Sequence, residues 1–337
     1  MTLTARAHIV SAWPLSELAI QRLREVADRI DGLVEHVEDI TDKNPARDDL
    51  ARRIQDADAL ITSPMVTRID AAMIASARRL RVIATVSVGY DNVDLRACSE
   101  RGIKVGNTPG VIAPATADIG MALILATMRR IVSGVEFVRA DRWKGETHPY
   151  GNDLNHKTLG IFGMGAIGAA LAHRARACGM RIIYHNRNLR SDIDPTEARY
   201  VSFEDLLKNS DVIAVTAPLT PQTRGIFDAA AFAKMKRGAY FINIARGGLV
   251  KTDALEEALR TGHLAYAGLD VTDPEPMPAS HPLLALPNVV VIPHMGTSSH
   301  ETRDEMLQLA VSNVIAALRG EPLPAPVDLP ELRVSAS

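Results

Sequence analysis

Three polar side chains follow apolar runs in the last third of the chain: Arg246 in Phe241-Ile-Asn-Ile-Ala-Arg-Gly-Gly248, Glu275 in Leu269-Asp-Val-Thr-Asp-Pro-Glu-Pro276, and His294 in Val291-Ile-Pro-His-Met-Gly296. If those runs are parallel strands, their carboxyl ends lie on one edge of a sheet, and the three groups converge despite their separation in sequence. An arginine can pair with a substrate carboxylate and polarise the adjacent ketone, while a histidine can donate a proton to the developing alkoxide. A carboxylate beside the imidazole orients it and favours its protonated form. This set suits reduction of a 2-oxo acid, with the hydride coming from a cofactor. Each residue also has a plain structural reading: a cap or surface arginine, a solvated Pro-flanked glutamate, a packing histidine after proline. The signal lies in their order together.

The cofactor site is expected upstream. Lys157-Thr-Leu-Gly-Ile-Phe-Gly-Met-Gly-Ala-Ile-Gly168 is a short apolar strand running into Gly-x-Gly-x-x-Gly. Gly163 permits the tight turn, Gly165 lets backbone approach a pyrophosphate, and Gly168 lets the next helix pack against the strand. Met164, Ala166 and Ile167 complete this loop, and the helix N-terminus behind it attracts anions through unpaired amides and its dipole. A glycine triplet alone is a weak signal. The apolar strand Leu159–Phe162 before it and the helical pattern Ile167–Cys178 after it supply the required context.

Cofactor choice is argued from the end of the following strand, Arg181-Ile-Ile-Tyr-His-Asn-Arg-Asn-Leu-Arg190. An acidic residue there would accept bonds from ribose hydroxyls and repel a 2′-phosphate. Asn186, Arg187 and Asn188 stand in its place, so NADPH is expected to be preferred, with NADH possible. Ala217 and Pro218 end a strand beside the glycine loop, with Thr223 capping the next turn, and this segment is expected to touch the nucleotide. Asp270 is expected to face the nicotinamide carboxamide.

Composition excludes other classes. The 38 Lys+Arg against 40 Asp+Glu give a formal charge of −2, which offers no basic field for nucleic acid or a membrane surface. Cys98 and Cys178 lie far apart with no Cys/His cluster, so neither a disulfide framework nor a metal site is expected. The N-terminal stretch is interrupted by His8, Trp13 and Pro14, and the longest apolar run stops at Arg129-Arg130, short of a membrane span. A cytoplasmic location is expected.

Strand and helix patterns alternate along the whole chain. The first series reads strand Ala7–Trp13, helix Leu15–Arg29, strand Leu33–Val37, helix Ala46–Asp56, strand Ala59–Thr62, strand Arg81–Val86, a short helix after Asp94, and strand Lys104–Val105. Ala113–Arg130 reads as a nearly all-apolar, buried helix with Pro114 in its first turn. The second series has strands at Leu159–Phe162, Arg181–His185, Val212–Thr216, Ala239–Ile244, Tyr266–Leu269 and Val289–Ile292, and Ser299–Arg319 returns as a helix. The fold class expected is therefore α/β, with two doubly wound parallel-sheet domains. A Rossmann nucleotide domain (108–293) is inserted into a flavodoxin-like substrate domain (1–107 plus 294–337), with crossings near Asn107 and Pro293 as the hinge and the substrate between domains.

The chain resembles the D-isomer-specific 2-hydroxyacid dehydrogenases, and within them the bacterial glyoxylate/hydroxypyruvate reductases that also act on 2-ketogluconate. The likeness runs over nearly the whole length. It rests on Ser87-Val-Gly-Tyr-Asp-Asn-Val-Asp94, Asn107-Thr-Pro-Gly110 with Ala115-Thr-Ala-Asp118, Gly163 to Gly168, Ile244-Ala-Arg-Gly247, Gly268-Leu-Asp-Val271 with Pro274-Glu-Pro276, and Pro293-His-Met-Gly296. The resemblance implies Arg246, Glu275 and His294 as the catalytic trio, and implies that the backbone amides around Val88 and Gly89 hold the substrate carboxylate, with Arg246 and His294 completing the substrate site. The same motifs place Thr116, Ile244, Ala245, Arg246, His294 and Gly296 among the cofactor contacts.

It further implies a homodimer formed through the nucleotide domain, with an arm from Arg130 to His156 embracing the partner. Where the family reads His-Ile-Gly-Ser this chain has His294-Met-Gly-Thr297, a conservative change. Some eukaryotic members carry two tryptophans in the arm; here Trp143 stands alone and is expected to be an interface anchor. Glyoxylate and hydroxypyruvate lead as substrates, with 2-ketogluconate and phenylpyruvate behind them. Corepressors that sense nicotinamide cofactors resemble the same fold and form the non-enzymatic alternative. Formate enzymes of this fold have glutamine where this chain has Glu275, which counts against that chemistry.

Overall fold

Residues 7–32, 45–64 and 68–331 are described by the computed structural model. The chain forms two compact units, residues 1–112 with 299–337 and residues 113–298. The first opens with β1 (Ala7–Ser11), α1 (Glu17–Leu23), β2 (Ala27–Gly32), α2 (Pro45–Arg53) and β3 (Ala59–Thr62). It continues with α3 (Ala71–Ser76), β4 (Val82–Thr85), α4 (Leu95–Glu100) and β5 (Lys104–Gly106). All pairings are parallel, in the order β2-β1-β3-β4-β5. That is the flavodoxin-like order. Asp70 and Asp94 start their helices by accepting the amides of Met73 and Ala97, the usual role of a short acidic side chain at such a terminus.

The helix expected over Leu15–Arg29 stops at Leu23, and a strand begins at Ala27, inside the span expected to be helical. Glu, Leu, Ala and Arg keep helical propensity high through this stretch. Pairing overrides it, because Ala27 to Gly32 lie alongside Ala7 to Ser11 with Val26 and Ala27 buried. The strand expected at Leu33–Val37 lies outside the described residues.

The second unit holds α5 (Ala113–Met128), α6 (Ile131–Arg139), β6 (Thr158–Phe162), α7 (Ala166–Ala177), β7 (Arg181–His185), β8 (Arg199–Tyr200), α8 (Phe203–Asn209) and β9 (Val212–Val215). After these come α9 (Ala229–Lys234), β10 (Ala239–Asn243), α10 (Thr252–Arg260), β11 (Leu264–Leu269) and β12 (Val289–Val291). The sheet is again wholly parallel, ordered β12-β11-β10-β9-β6-β7-β8. The first strand in sequence, β6, sits in the middle with β7 on one side and β9 on the other. That reversal of strand order is where a doubly wound sheet opens a crevice at its carboxyl edge. In α5 the side chains of Leu123, Ile124 and Met128 are buried, each contributing about 1.5–3 kcal/mol to folding by removal from water.

The chain then returns to the first unit as α11 (His300–Arg319), which opens with Ser299 accepting the Thr302 amide and ends at Gly320 with φ 78°. The unit boundaries fall a few residues beyond those read from the sequence. Val111 and Ile112 pack against the core of the first unit, and the 294–298 loop is hydrogen-bonded into the second. His294 therefore belongs with Arg246 and Glu275. Among the described residues no helix is long and apolar enough to cross a membrane.

Candidate active site

Register brings the three candidate catalytic groups to one edge. Asn243 at the end of β10 pairs with Leu269 at the end of β11, which pairs with Val291 at the end of β12, so the three strands stop level. Arg246, Glu275 and His294 sit in the loops that leave these ends. His294 Nδ1 lies 2.5 Å from Glu275 Oε1. Burial pushes the Glu275 carboxyl up, but the hydrogen bond and charge of His294, the Thr272 amide and the Arg246 guanidinium outweigh it and hold it below its ordinary value. Glu275 thus stays ionised at neutral pH, bonded to the His294 ring and within the field of Arg246.

Each loop is fixed from beneath. The buried side chain of Asn243 accepts the Ala245 amide at 3.0 Å and donates to the Arg246 carbonyl at 3.0 Å, tying down the turn that carries the guanidinium. Behind it, a Cβ on Gly247 would stand 1.8 Å from the Thr272 carbonyl, so the loops after β10 and β11 touch through bare backbone. Only glycine permits that approach. His294 has φ 49°, the left-handed region that costs a non-glycine residue about 1–2 kcal/mol. Asp270 holds it there. Its carbonyl accepts the His294 amide at 3.0 Å, and its carboxylate accepts Met295 at 2.5 Å and Gly296 at 2.9 Å. Burial raises the Asp270 carboxyl above its ordinary value, against the pull of those amides and of His294. Thr116 on α5 adds a bond from its hydroxyl to the Gly296 carbonyl at 3.1 Å. Asp270 and Thr116, read from the sequence as cofactor contacts, are also the clamps of the histidine loop.

The glycine loop occupies the crevice between β6 and β9. Gly163 has φ 105°, and a Cβ there would meet the Ala217 backbone at 2.4 Å. A Cβ on Gly168 would meet the Gly163 carbonyl at 2.5 Å, which is the close packing of helix on strand. Gly165 faces open space, and no side chain caps the amides that start α7. The loop therefore fits a pyrophosphate, with Ala166, Ile167 and Gly168 supplying backbone donors while the Gly165 amide closes the turn on the Gly163 carbonyl at 2.8 Å. Met164 is buried. Its amide donates to Asn186 Oδ1 at 2.6 Å and its carbonyl accepts from Arg190 at 3.0 Å, so Asn186 braces the glycine loop from the end of β7. Arg190 also pairs with Asp192. Arg187 and Asn188 are exposed beside them.

Thr223 caps the loop after β9, accepting the Thr220 amide at 2.8 Å and donating to the Pro218 carbonyl at 2.8 Å. Ala217, Ile244 and Ala245 have buried side chains, which leaves backbone as their means of contact. Among the described residues no group of three or more His, Cys, Asp or Glu could hold a metal ion.

Val88 and Gly89 belong to the first unit, in the loop after β4. The Gly89 amide donates to Ser87 Oγ at 3.0 Å, and the Val88 carbonyl accepts from Asn107 Nδ2 at 2.9 Å. Both partners stand in motifs that carry the resemblance, but neither was assigned a role from the sequence, since a serine or an asparagine in a turn does not show what it bonds.

In the arm, Phe137 is buried against His148 and under Arg142, and Ser133 Oγ lies 3.1 Å from His148 Nε2. The other face of α6 exposes Ile131, Val132, Val135 and Val138, with Trp143 75% exposed beyond it.

Comparison with known proteins gives a consistent family. Residues 121–296 match the D-isomer specific 2-hydroxyacid dehydrogenase NAD binding domain. A glyoxylate reductase of Korarchaeum cryptofilum is 43% identical over 281 residues, 82% of this chain and 84% of that protein. A glyoxylate/hydroxypyruvate reductase B of Escherichia fergusonii is 46% identical over 257 residues, 75% of this chain and 79% of that protein. Among solved structures, an NADPH-dependent glyoxylate/hydroxypyruvate reductase of Sinorhizobium meliloti in complex with NADP and malonate superposes with a TM-score of 0.83 at 28% identity, covering 96% of this chain and 97% of that one.

Proposed function

Since the chain belongs to the D-isomer specific 2-hydroxyacid dehydrogenases and is an oxidoreductase with an NAD-binding domain, we propose that it reduces small 2-oxo acids, glyoxylate and hydroxypyruvate first, to glycolate and D-glycerate with NADPH as preferred cofactor. The observation that carries this reading is the bonded His294–Glu275 pair within the field of Arg246. The names of the relatives and the NADP in the Sinorhizobium enzyme support it.

A nicotinamide cofactor, held by Gly163 to Gly168 and by the loops at Ala217–Thr223 and Ile244–Arg246, supplies the hydride. Arg246 binds the carboxylate and draws electron density from the ketone, which prepares the carbonyl carbon for reduction. The amides around Val88 and Gly89, in the first unit, are the carboxylate donors that the resemblance implies. With Nδ1 bound to Glu275, Nε2 is the His294 nitrogen that gives its proton to the developing alkoxide. Glu275 orients the imidazole for that transfer through its bond to Nδ1.

Initial rates of NADPH and NADH oxidation with glyoxylate, hydroxypyruvate, 2-ketogluconate and phenylpyruvate test the assignment. Fast NADPH-dependent turnover of the two small acids is expected, and preference for a larger acid would overturn the substrate ranking. Arg187 supports the cofactor choice, being an exposed guanidinium where an acid would repel a 2′-phosphate. Arg187→Ala is expected to raise KM for NADPH by about tenfold, the value of a lost charge-assisted bond, and to leave KM for NADH nearly unchanged. Equal effects on both would remove the argument.

The exposed apolar face of α6 supports a homodimer through this unit. Replacing Val135 and Val138, 45% and 53% exposed, by aspartate is expected to give a folded monomer in light scattering after size exclusion. A dimer that survives would place the interface elsewhere.

A further inference from the structure

We propose that Asn107 is a positioning residue for substrate binding: it clamps the Val88–Gly89 peptide so that the Gly89 amide is held and polarised as the seat of the substrate carboxylate. The inference rests on the reading that this peptide holds the carboxylate, and adds the device that fixes it. A lone backbone amide in an exposed loop is a poor anion receptor, because the peptide plane can rotate and the donor can turn to water. Here both neighbouring carbonyls are bonded from below. The Ser87 carbonyl accepts from the Thr108 amide at 2.9 Å and from Thr85 Oγ1 at 3.1 Å. The Val88 carbonyl, part of the same peptide plane as the Gly89 amide, accepts from Asn107 Nδ2 at 2.9 Å. Only the amide NH₂ of an asparagine can serve there, since its oxygen would face another acceptor. A bond to the carbonyl end of a peptide strengthens the N–H at the other end as a donor. Asn107 therefore acts on the seat in two ways, by geometry and by polarisation.

Asn107 is itself fixed from the core. Its amide donates to the Ala325 carbonyl at 3.1 Å, and its carbonyl accepts from Asn313 Nδ2 at 3.0 Å. Asn313 lies fully buried on α11, with its Oδ1 accepting the Ala325 amide at 3.0 Å. The fit is tight, as a Cβ on Gly106 would stand 2.7 Å from the Asn313 amide group. A fully bonded buried asparagine on a long helix makes a rigid foundation, and Asn107 transmits it to the loop. All the bonds that fix Asn107 in place use its main chain. Side-chain substitution therefore removes the clamp on Val88 and leaves the foundation intact. The Gly89 amide donates to Ser87 Oγ at 3.0 Å, a neutral acceptor whose place a carboxylate, the stronger acceptor, takes when substrate binds.

Asn107→Ala, which leaves the Val88 carbonyl unpaired, and Asn107→Asp, which sets a carboxylate against it, provide the test. KM for glyoxylate and the inhibition constant of oxalate, a carboxylate with no reducible carbonyl, are expected to rise together by about tenfold, the scale of one weakened bond to a charged group. Turnover at saturating glyoxylate and KM for NADPH are expected to stay near wild type, and methyl glyoxylate, which lacks the carboxylate, should be handled as before. A loss that is merely structural would lower turnover on both substrates and shift the thermal midpoint. Folded Asn107 variants with wild-type KM and oxalate inhibition, or with equal losses on acid and ester, would overturn the proposal. Gly89→Pro, which deletes the donor itself, separates the two levels. If it raises KM for glyoxylate while the Asn107 variants do not, the clamp is wrong and the seat stands. If folded Gly89→Pro keeps wild-type KM, the seat is elsewhere and the clamp falls with it.

Discussion

Replacing His294 by glutamine is expected to lower turnover of 2-oxo acids by about 10²- to 10⁴-fold, the range that general acid catalysis contributes. It should also abolish the fall in rate at alkaline pH. Glutamine keeps the size and can still bond Glu275, but it has no proton to give. The sign of the pH effect follows from the geometry. Reduction consumes the proton on Nε2, so the rate falls as alkali removes that proton. Glu275, held below its ordinary value of 4.5 by the imidazolium, the Thr272 amide and Arg246, is charged across that range. On the acid side, the attraction between the two is lost as pH falls through the depressed Glu275 value. Glu275→Gln removes the carboxylate that orients the imidazole through Nδ1 and should lower turnover. A His294→Gln enzyme that keeps near wild-type turnover, or keeps the alkaline decline, would exclude the histidine as proton donor.

Arg246→Ala is expected to reduce kcat/KM for glyoxylate by about 10³-fold or more, since it removes both the partner of the carboxylate and the positive charge that stabilises the developing alkoxide. Arg246→Lys should recover part of this, because a point charge survives while the two-pronged geometry does not. The fold should tolerate both changes. The Asn243 bond at this turn goes to the Arg246 carbonyl, which any residue provides, and the glycine that lets the two loops touch is Gly247. NADPH binding, followed by fluorescence titration, should stay within a few-fold of wild type. Activity of Arg246→Ala within tenfold of the parent would place carboxylate recognition on other residues.

The stretches that sequence reasoning located best share one property: their chemistry is local. The β6–glycine loop–α7 unit is legible because a strand, a turn and a helix packed against each other require glycine at fixed places, and a Cβ on Gly163 or Gly168 would meet backbone within 2.5 Å. The alternation of apolar strands and helices dictates parallel sheets, and a parallel sheet dictates that Arg246, Glu275 and His294 leave from one edge. Helix α5 was legible from its apolar composition alone.

The remainder depended on partners distant in sequence. The end of α1 was misread because its residues favour helix by propensity, and only their position beside β1 makes Ala27 to Gly32 a strand. The two-residue β8 carries no pattern of its own and exists as an extension of β7. Asp270 and Thr116 read as cofactor contacts, but their bonds to the histidine loop arise where residues from three elements meet. Asn186 stands where an acid would face ribose, and packing turns it onto the Met164 amide.

The amino-acid sequence by itself determined the architecture, the family and the candidates for the reactive groups, because period, glycine placement and residue type are properties of short segments. Tertiary structure alone decided which of the asparagines, aspartates and threonines hold those groups in place. A hydrogen bond between Asn313 and Asn107, or between Asp270 and Gly296, depends on a distance that no local pattern encodes.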